Sequence, residues 1–367
     1  MFNMKDIVVV GSIAFDNIET IKGKKDRLLG GSGVYFSLAA SLFCKVHLIG
    51  IVGDDFNQKH LDMFHSKSIS TDYLIQKSGK TFSWGGKYSD DFNQRHTLFT
   101  DLGVFKQFAP KIDSHQLDKP ILFLANIQPS LQMDVINQIE KPSLIVMDTM
   151  NLWIDNNLDE LFSVIRKVDI LLINDEEVVE LTGVDDIYKA GLSLLKEGPK
   201  YIIIKKGGEG SLIVSNKDNV NIPAIPDIDV FDPTGAGDSF AGGFLGYLAS
   251  HQNFNIIEAV LHGTAIASYT ISGFGIKGIE KIKLHNIKNR IKILKLYLVD
   301  STIFLNSIRR GKKLLKISRL DRFMHSYQGA VTWGNLDLNL STSTPSVKFT
   351  LKNKDPRKHS HKFIRMS

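Results

Sequence analysis

The stretch of this sequence best suited to chemistry is Asp232-Pro233-Thr234-Gly235-Ala236-Gly237-Asp238-Ser239-Phe240. Its small residues let a ligand approach the backbone. The residues that follow, Phe240, Ala241, Phe244, Leu245, Leu248 and Ala249, recur at the three- and four-residue spacing of a helix that begins near Ala236. A helix N-terminus offers free N–H groups and the positive end of the helix dipole, so the turn of Gly235, Ala236 and Gly237 suits a phosphoryl group. A carboxylate at Asp238, in the first turn, would lie beside that group and accept a proton from an attacking alcohol. An acidic residue in the first turn also stabilises a helix by itself, and residue types alone leave that alternative open. Other phosphate-binding patterns fail on spacing: a dinucleotide-binding Gly-x-Gly-x-x-Gly would need glycine where Phe240 stands. Gly79-Lys80-Thr81 has Leu74 where a P-loop needs its first glycine.

Up to about residue 300 the chain alternates short β-branched runs with amphipathic helical runs, the pattern of an α/β fold with a central, mostly parallel sheet and helices on both faces. The strands are expected at 7–10, 46–51, 121–124, 144–148, 170–174 and 201–205, several of them continuously apolar, as strands buried on both faces are. Asn126, Asp148 and Asn151 fall at the ends of central strands, where such sheets bind ligands. Asn174, with Glu177 three residues later, reads as a capping box at a strand-to-helix junction. Lys205-Lys206-Gly207-Gly208-Glu209-Gly210 reads as a glycine turn between two strand-like runs. Gly242, Gly243 and Gly246 weaken the helix that follows Asp238 and so imply a close neighbour. Residues 18–30 and 80–104 break the alternation as extended, polar-faced segments, the second turning at Ser89-Asp90-Asp91, and together suggest a small β-lid.

The 367 residues, 43% hydrophobic, suffice for a sizeable core. The lone cysteine, Cys44, lies in an apolar stretch and reads as a buried thiol; with no signal-peptide pattern after Met1 this predicts a cytoplasmic protein. No apolar run reaches the roughly 20 residues of a spanning helix, so no membrane is expected as a partner. Of the net +6, residues 301–367 hold 14 Lys/Arg against 3 Asp/Glu, a balance of +11, which leaves the first 300 at −5. That division predicts a domain over 1–300, with its last helix at 286–299, and an appended basic, largely disordered tail over 301–367. The tail carries no recognisable RNA- or DNA-binding motif, and nucleic acid is not the expected partner.

Asp232 to Phe240, followed by Ala241-Gly242-Gly243-Phe244, resembles the C-terminal signature of the PfkB family, which contains ribokinase, fructokinases and adenosine kinase. Gly11-Ser12-Ile13-Ala14-Phe15-Asp16 resembles that family's first strand and substrate-binding Asp. Gly30-Gly31-Ser32-Gly33 with Val52-Gly53-Asp54-Asp55 resembles its N-terminal signature. The resemblance spans about residues 6–299. It implies a ribokinase-like fold with a lid that closes over the substrate, and transfer of the γ-phosphate of ATP to a hydroxyl of a sugar or sugar-like alcohol. In that scheme Asp238 is the general base, the Gly235–Gly237 turn is the anion hole, and Asp16, Gly31 and Tyr35 meet the substrate. Asn174 and Glu177 resemble the family's Asn-x-x-Glu motif, which helps place Mg2+ and its waters. Lys205, Gly207, Gly208 and Gly210 stand where the family has a nucleotide-binding turn. Asp232 and Ser272-Gly273-Phe274-Gly275 resemble loops that form a K+ site in many relatives, and the lid allows a homodimer.

Ribokinase-like members commonly carry Asn where this chain has Tyr35, so the hydroxyl pattern read must differ. An aromatic face at Tyr35, Trp84 or Tyr88 can pack on a sugar ring or a nucleobase, which makes nucleoside kinase activity the alternative within the family. A catalytically silent ligand-binding relative is disfavoured by the intact Gly235, Gly237 and Asp238.

Overall fold

β1 (Ile7–Val10) is apolar and buried at every position, because both of its faces are covered. Ile7 and Val9 join one hydrophobic core, Val8 and Val10 the other. In the computed structural model, residues 4–113, 115, 117–217 and 219–309 are described, together with short strands at 331–333, 337–339, 346–348 and 351–353. β1 pairs in parallel with β4 (Val46–Val52) on one side and with β9 (Ile121–Leu124) on the other. Beyond β9 follow β10 (Leu144–Asp148), β11 (Ile170–Asn174) and β12 (Tyr201–Lys205), all parallel, then β13 (Ser211–Ser215) and β14 (Asn219–Ile222), antiparallel. β5 (Ile69–Ser70) and β6 (Leu74–Gln76) pair with β4 at the far edge of the sheet.

Helices cover both faces. One core gathers side chains from α1 (Ser32–Ala40), α2 (Gln58–Ser66), α8 (Ala236–Ser250), α9 (Ile256–Thr270) and α10 (Leu284–Arg309). The other gathers α3 (Pro129–Gln138), α4 (Asn151–Asn156), α5 (Leu158–Ile165), α6 (Asp175–Thr182) and α7 (Ile187–Leu195). The neighbours implied by the α8 glycines are present: a β-carbon on Gly242 would lie 2.4 Å from Phe36 O of α1, and one on Gly243 2.9 Å from His262 O of α9. Loss of helix propensity at these positions, about 1 kcal/mol each, is the cost of packing α8 between two helices.

The lid is a separate sheet of β3 (Gly23–Gly30), β2 (Ala14–Thr20), β7 (Phe82–Tyr88) and β8 (Arg95–Asp101), in that order. It joins the two segments expected from sequence, through parallel pairing of β2 with β7. One boundary differs. The lid begins four residues before its expected start at 18, at Ala14, so Asp16 sits on lid strand β2.

The chain divides into units at 1–299 and 300–367. The last helix runs ten residues beyond its expected end, to Arg309. Much of the tail expectation falls outside the described residues. Those described include β15 (Val331–Trp333) paired with β18 (Leu351–Asn353), and β16 (Asp337–Asn339) paired with β17 (Ser346–Lys348). Among the described residues no helix is long and apolar enough to cross a membrane.

Candidate active site

The chain leaves β1 toward β4 on one side and returns as β9 on the other, and a parallel sheet binds ligands at the carboxyl ends of its strands beside such a reversal. The side chains that close these strands are Asp148 of β10, Asn174 of β11 and Lys205 of β12. α8 begins at the same place, since a β-carbon on Gly237 would lie 3.3 Å from Lys205 Nζ and 4.0 Å from Asp148 Oδ2.

Gly235 is the N-cap of α8, and no side chain caps the helix. Its φ of 75° is left-handed, and a β-carbon there would lie 2.3 Å from Cγ of the Tyr35 ring. Both facts demand glycine. Gly235, Ala236, Gly237 and Asp238 are all half-buried, within reach of a ligand. Burial, then the nearby Asp148 carboxylate, pushes the Asp238 carboxyl up to about 7, against the opposing pull of Lys205 and Arg95.

Lys205 donates to both Asp148 oxygens, at 2.8 and 2.7 Å. Burial alone would lower its pKa, but the Asp148 and Glu177 carboxylates outweigh it and hold the ammonium above its usual range. Glu177 and Asn174 form the expected capping box: Asn174 Oδ1 accepts from Glu177 N at 2.7 Å, and Glu177 Oε2 accepts from Asn174 N at 3.0 Å. Burial raises Glu177 to about 7, eased by Lys205 and sharpened by Asp148. Only one carboxylate oxygen serves the box, so capping and ligand binding are compatible.

The glycine turn separates into two roles. Gly207 and Gly208 face open space, whereas a β-carbon on Gly210 would lie 2.0 Å from Ile222 O, at a φ of 92°. Gly210 is therefore required by the β12–β13 turn and its packing on the backbone at the end of β14. Asp232 is also structural: its Oδ1 accepts from Thr234 N at 2.9 Å and its Oδ2 from Gly275 N at 2.8 Å. With both oxygens engaged by backbone N–H groups, it braces two loops.

On the acceptor side, Asp16 is 3% exposed. Burial, then repulsion from Asp232, lifts it to about 8 although the Gly31 N–H donates to it. Tyr35 is buried with its ring against Gly235, so it cannot offer the free aromatic face expected from sequence. What it offers is its hydroxyl, buried without a hydrogen-bond partner and near Asp16 and Asp232. Tyr88 Oη lies 3.0 Å from Thr234 Oγ1, which ties the lid to the turn that begins α8.

Sequence reasoning placed Asp148 at a strand end without assigning its partner, because Lys205 is 57 residues away. It missed Arg95, whose charge acts on Asp238 and Glu177 from the lid. Of the other strand-end candidates, Asn126 accepts from Trp153 Nε1 at 2.7 Å and braces α4, and Asn151 begins that helix.

A family model for pfkB family carbohydrate kinases matches residues 4–281. A cytidine kinase from Thermococcus kodakarensis is 28% identical over 250 residues, 66% of this chain and 88% of that protein. A deoxyribokinase from Salmonella typhi is 28% identical over 291 residues, 74% of this chain and 94% of that protein. Ribokinase from Arabidopsis thaliana, solved with ribose and ATP, superposes with a TM-score of 0.64 at 22% identity, covering 79% of this chain and 99% of that one. The Burkholderia thailandensis nucleoside kinase in complex with inosine gives 0.65 at 19%, covering 78% and 98%. At those identities the structural likeness establishes the fold, and it is the ribokinase-like one expected. With the family model matched over well more than half its length, the chain belongs to the pfkB family of carbohydrate kinases.

Proposed function

We propose that Asp238 is the general base in ATP-dependent transfer of phosphate to a hydroxyl of a sugar or nucleoside, the reaction of a pfkB kinase. The observation that carries this reading is the half-buried Asp238 carboxylate in the first turn of an α8 that no side chain caps, with Lys205 beneath Gly237. A base held near 7 is ionised in part at neutral pH yet basic enough to take a proton. The acceptor lies under the lid, with Asp16, the Gly31 N–H and the Tyr35 hydroxyl to receive its hydroxyls. The Gly235–Gly237 N–H groups stabilise charge on the transferred group, with Lys205 holding Asp148 beside them. Gly207 and Gly208, open to solvent, receive the nucleotide.

The oxygen ligands that Glu177 and Asn174 can offer fit Mg2+ acting through water. When bound, Mg2+ would neutralise phosphate charge.

A nucleoside acceptor is the second reading, suggested by the aromatic Trp84, whose backbone pairs in register with that of Asp16. β8 is exposed along its length, with Leu98 and Phe99 among its residues, and its free edge suits a homodimer through the lid. The buried free Cys44 suits a reducing compartment such as the cytoplasm.

Purified protein with ATP and magnesium, screened against pentoses, hexoses, sugar phosphates and nucleosides, tests the reaction. Phosphotransfer to at least one is expected, and none across the panel would sink the reading.

A further inference from the structure

β7 and β8 pair so that Tyr88 stands opposite Arg95 and Gly86 opposite Thr97. Residues two apart on a strand share a face, so Trp84, Gly86, Tyr88, Arg95 and Thr97 lie on one side of the lid. It is the side turned to the catalytic turn, because Tyr88 reaches Thr234 from it. The indole of Trp84 lies over Gly86, where a β-carbon would come 2.0 Å from the ring. Its Nε1 donates to Thr97 Oγ1 at 3.4 Å, and the Arg95 guanidinium rests 5.4 Å from the ring centre. Arg95 is exposed, and among the described residues it has no carboxylate at ion-pair distance.

The charges of the site make that cation informative. Asp16, Asp148, Glu177, Asp232 and Asp238 are acidic, while Lys205 is committed to Asp148. A site that takes a polyphosphate against so many carboxylates needs an uncommitted cation. Arg95 is near enough for its charge to act on both Asp238 and Glu177, which stand on the phosphate side.

We propose that Arg95 is a further catalytic residue, a guanidinium that the lid carries onto the transferred phosphoryl group of the nucleotide. The inference rests on the kinase reading above. Phosphoryl transfer spreads charge over three equatorial oxygens, and a planar guanidinium can bond two of them at once. Placing it on a lid latched by Tyr88 delivers the charge only when the site is closed, which limits transfer to water. A merely structural Arg95, stacked on Trp84, would affect stability and all nucleotides alike.

Arg95→Met in the full-length protein tests this by calorimetry with magnesium and two nucleotides, β,γ-methylene-ATP and ADP. Affinity for the triphosphate analogue should fall at least about tenfold and that for ADP by less than twofold, with an unchanged melting temperature. Turnover at saturating substrates should fall by about 10²–10³-fold, with Arg95→Lys in between. Equal losses for both nucleotides, or no loss for either, would overturn the proposal, and so would turnover within threefold of wild type. Because the binding arm needs no acceptor, it decides on Arg95 even where the acceptor panel shows no transfer, an outcome that counts against the kinase reading alone.

Discussion

In the proposed reaction a base must be ionised before transfer yet hold a proton afterward, and Asp238 suits both demands because burial and Asp148 lift it from 3.8 to about 7. Turnover should therefore fall as pH drops through about 7, as the carboxylate protonates. The contribution to stability runs the other way: a folded pKa raised above the unfolded value stabilises fully below about pH 4 and is lost as pH climbs through about 7. Asp238→Asn keeps shape without charge, so it should melt higher than wild type at pH 8 and about equally at pH 4. Its turnover should drop at least about a hundredfold, with nucleotide binding intact. A soluble variant within a few-fold of wild type would reduce Asp238 to a helix-terminal charge. Tyr35 makes a second residue-scale case. A buried hydroxyl without a partner costs about 1–3 kcal/mol, so Tyr35→Phe should hold or raise the melting temperature. If that cost is kept for the acceptor, its KM should rise about three- to tenfold while the KM for ATP stays level. A level acceptor KM would remove Tyr35 from the substrate site.

The lid is rooted by the end of β4. Asp55 Oδ1 accepts from Thr81 N at 2.8 Å and Thr81 Oγ1 at 2.7 Å, and its Oδ2 accepts from Arg27 of β3 at 3.2 Å. Asp54 Oδ2 accepts from Gly79 N and Ser78 Oγ, both at 3.0 Å. The signature Val52-Gly53-Asp54-Asp55 thus holds the chain entering β7 and one strand of the lid, without facing the chemistry. Charge-assisted bonds at this partly exposed site are worth about 1–2 kcal/mol, so Asp55→Ala should speed amide exchange over 81–88 by about tenfold and raise the acceptor KM. Unchanged exchange would show that the lid is held elsewhere. What the sequence disclosed follows the range of the interactions. The turn into α8 was readable because its glycines, carboxylate and apolar repeat are contiguous. So was the capping box of Asn174 and Glu177. The Asp148–Lys205 pair was not, because it joins two strand ends far apart in the chain. The lid was expected to begin at residue 18, which left Asp16 outside it, and its pairing with β3 and β7 shows that Asp16 belongs to the lid. Tyr35 was read by its aromatic face, although the face is spent on Gly235 from a distant segment.

At the scale of the whole molecule, the family match ends at residue 281 but the core does not. Ile287, Ile291 and Leu294 of α10 recur at helical spacing and are buried in the core beneath α1, α8 and α9. Burying each such side chain contributes about 1.5–3 kcal/mol, so the three together supply about 5–9 kcal/mol. That is comparable to the whole stability of a typical domain, about 5–15 kcal/mol. A chain ending at 281 should therefore be insoluble or largely unfolded, although it keeps every motif of the site. A chain ending at Arg309 retains all three side chains and the described length of α10. It discards 13 of the 14 basic residues found after residue 300, and its charge falls accordingly. It should melt within a few degrees of the full chain, keep phosphotransfer within about twofold, and elute earlier in salt from a cation-exchange column. Loss of activity in a soluble protein ending at Arg309 would mean that residues beyond it serve the site, and would overturn the division of the chain into a kinase and a separate basic segment.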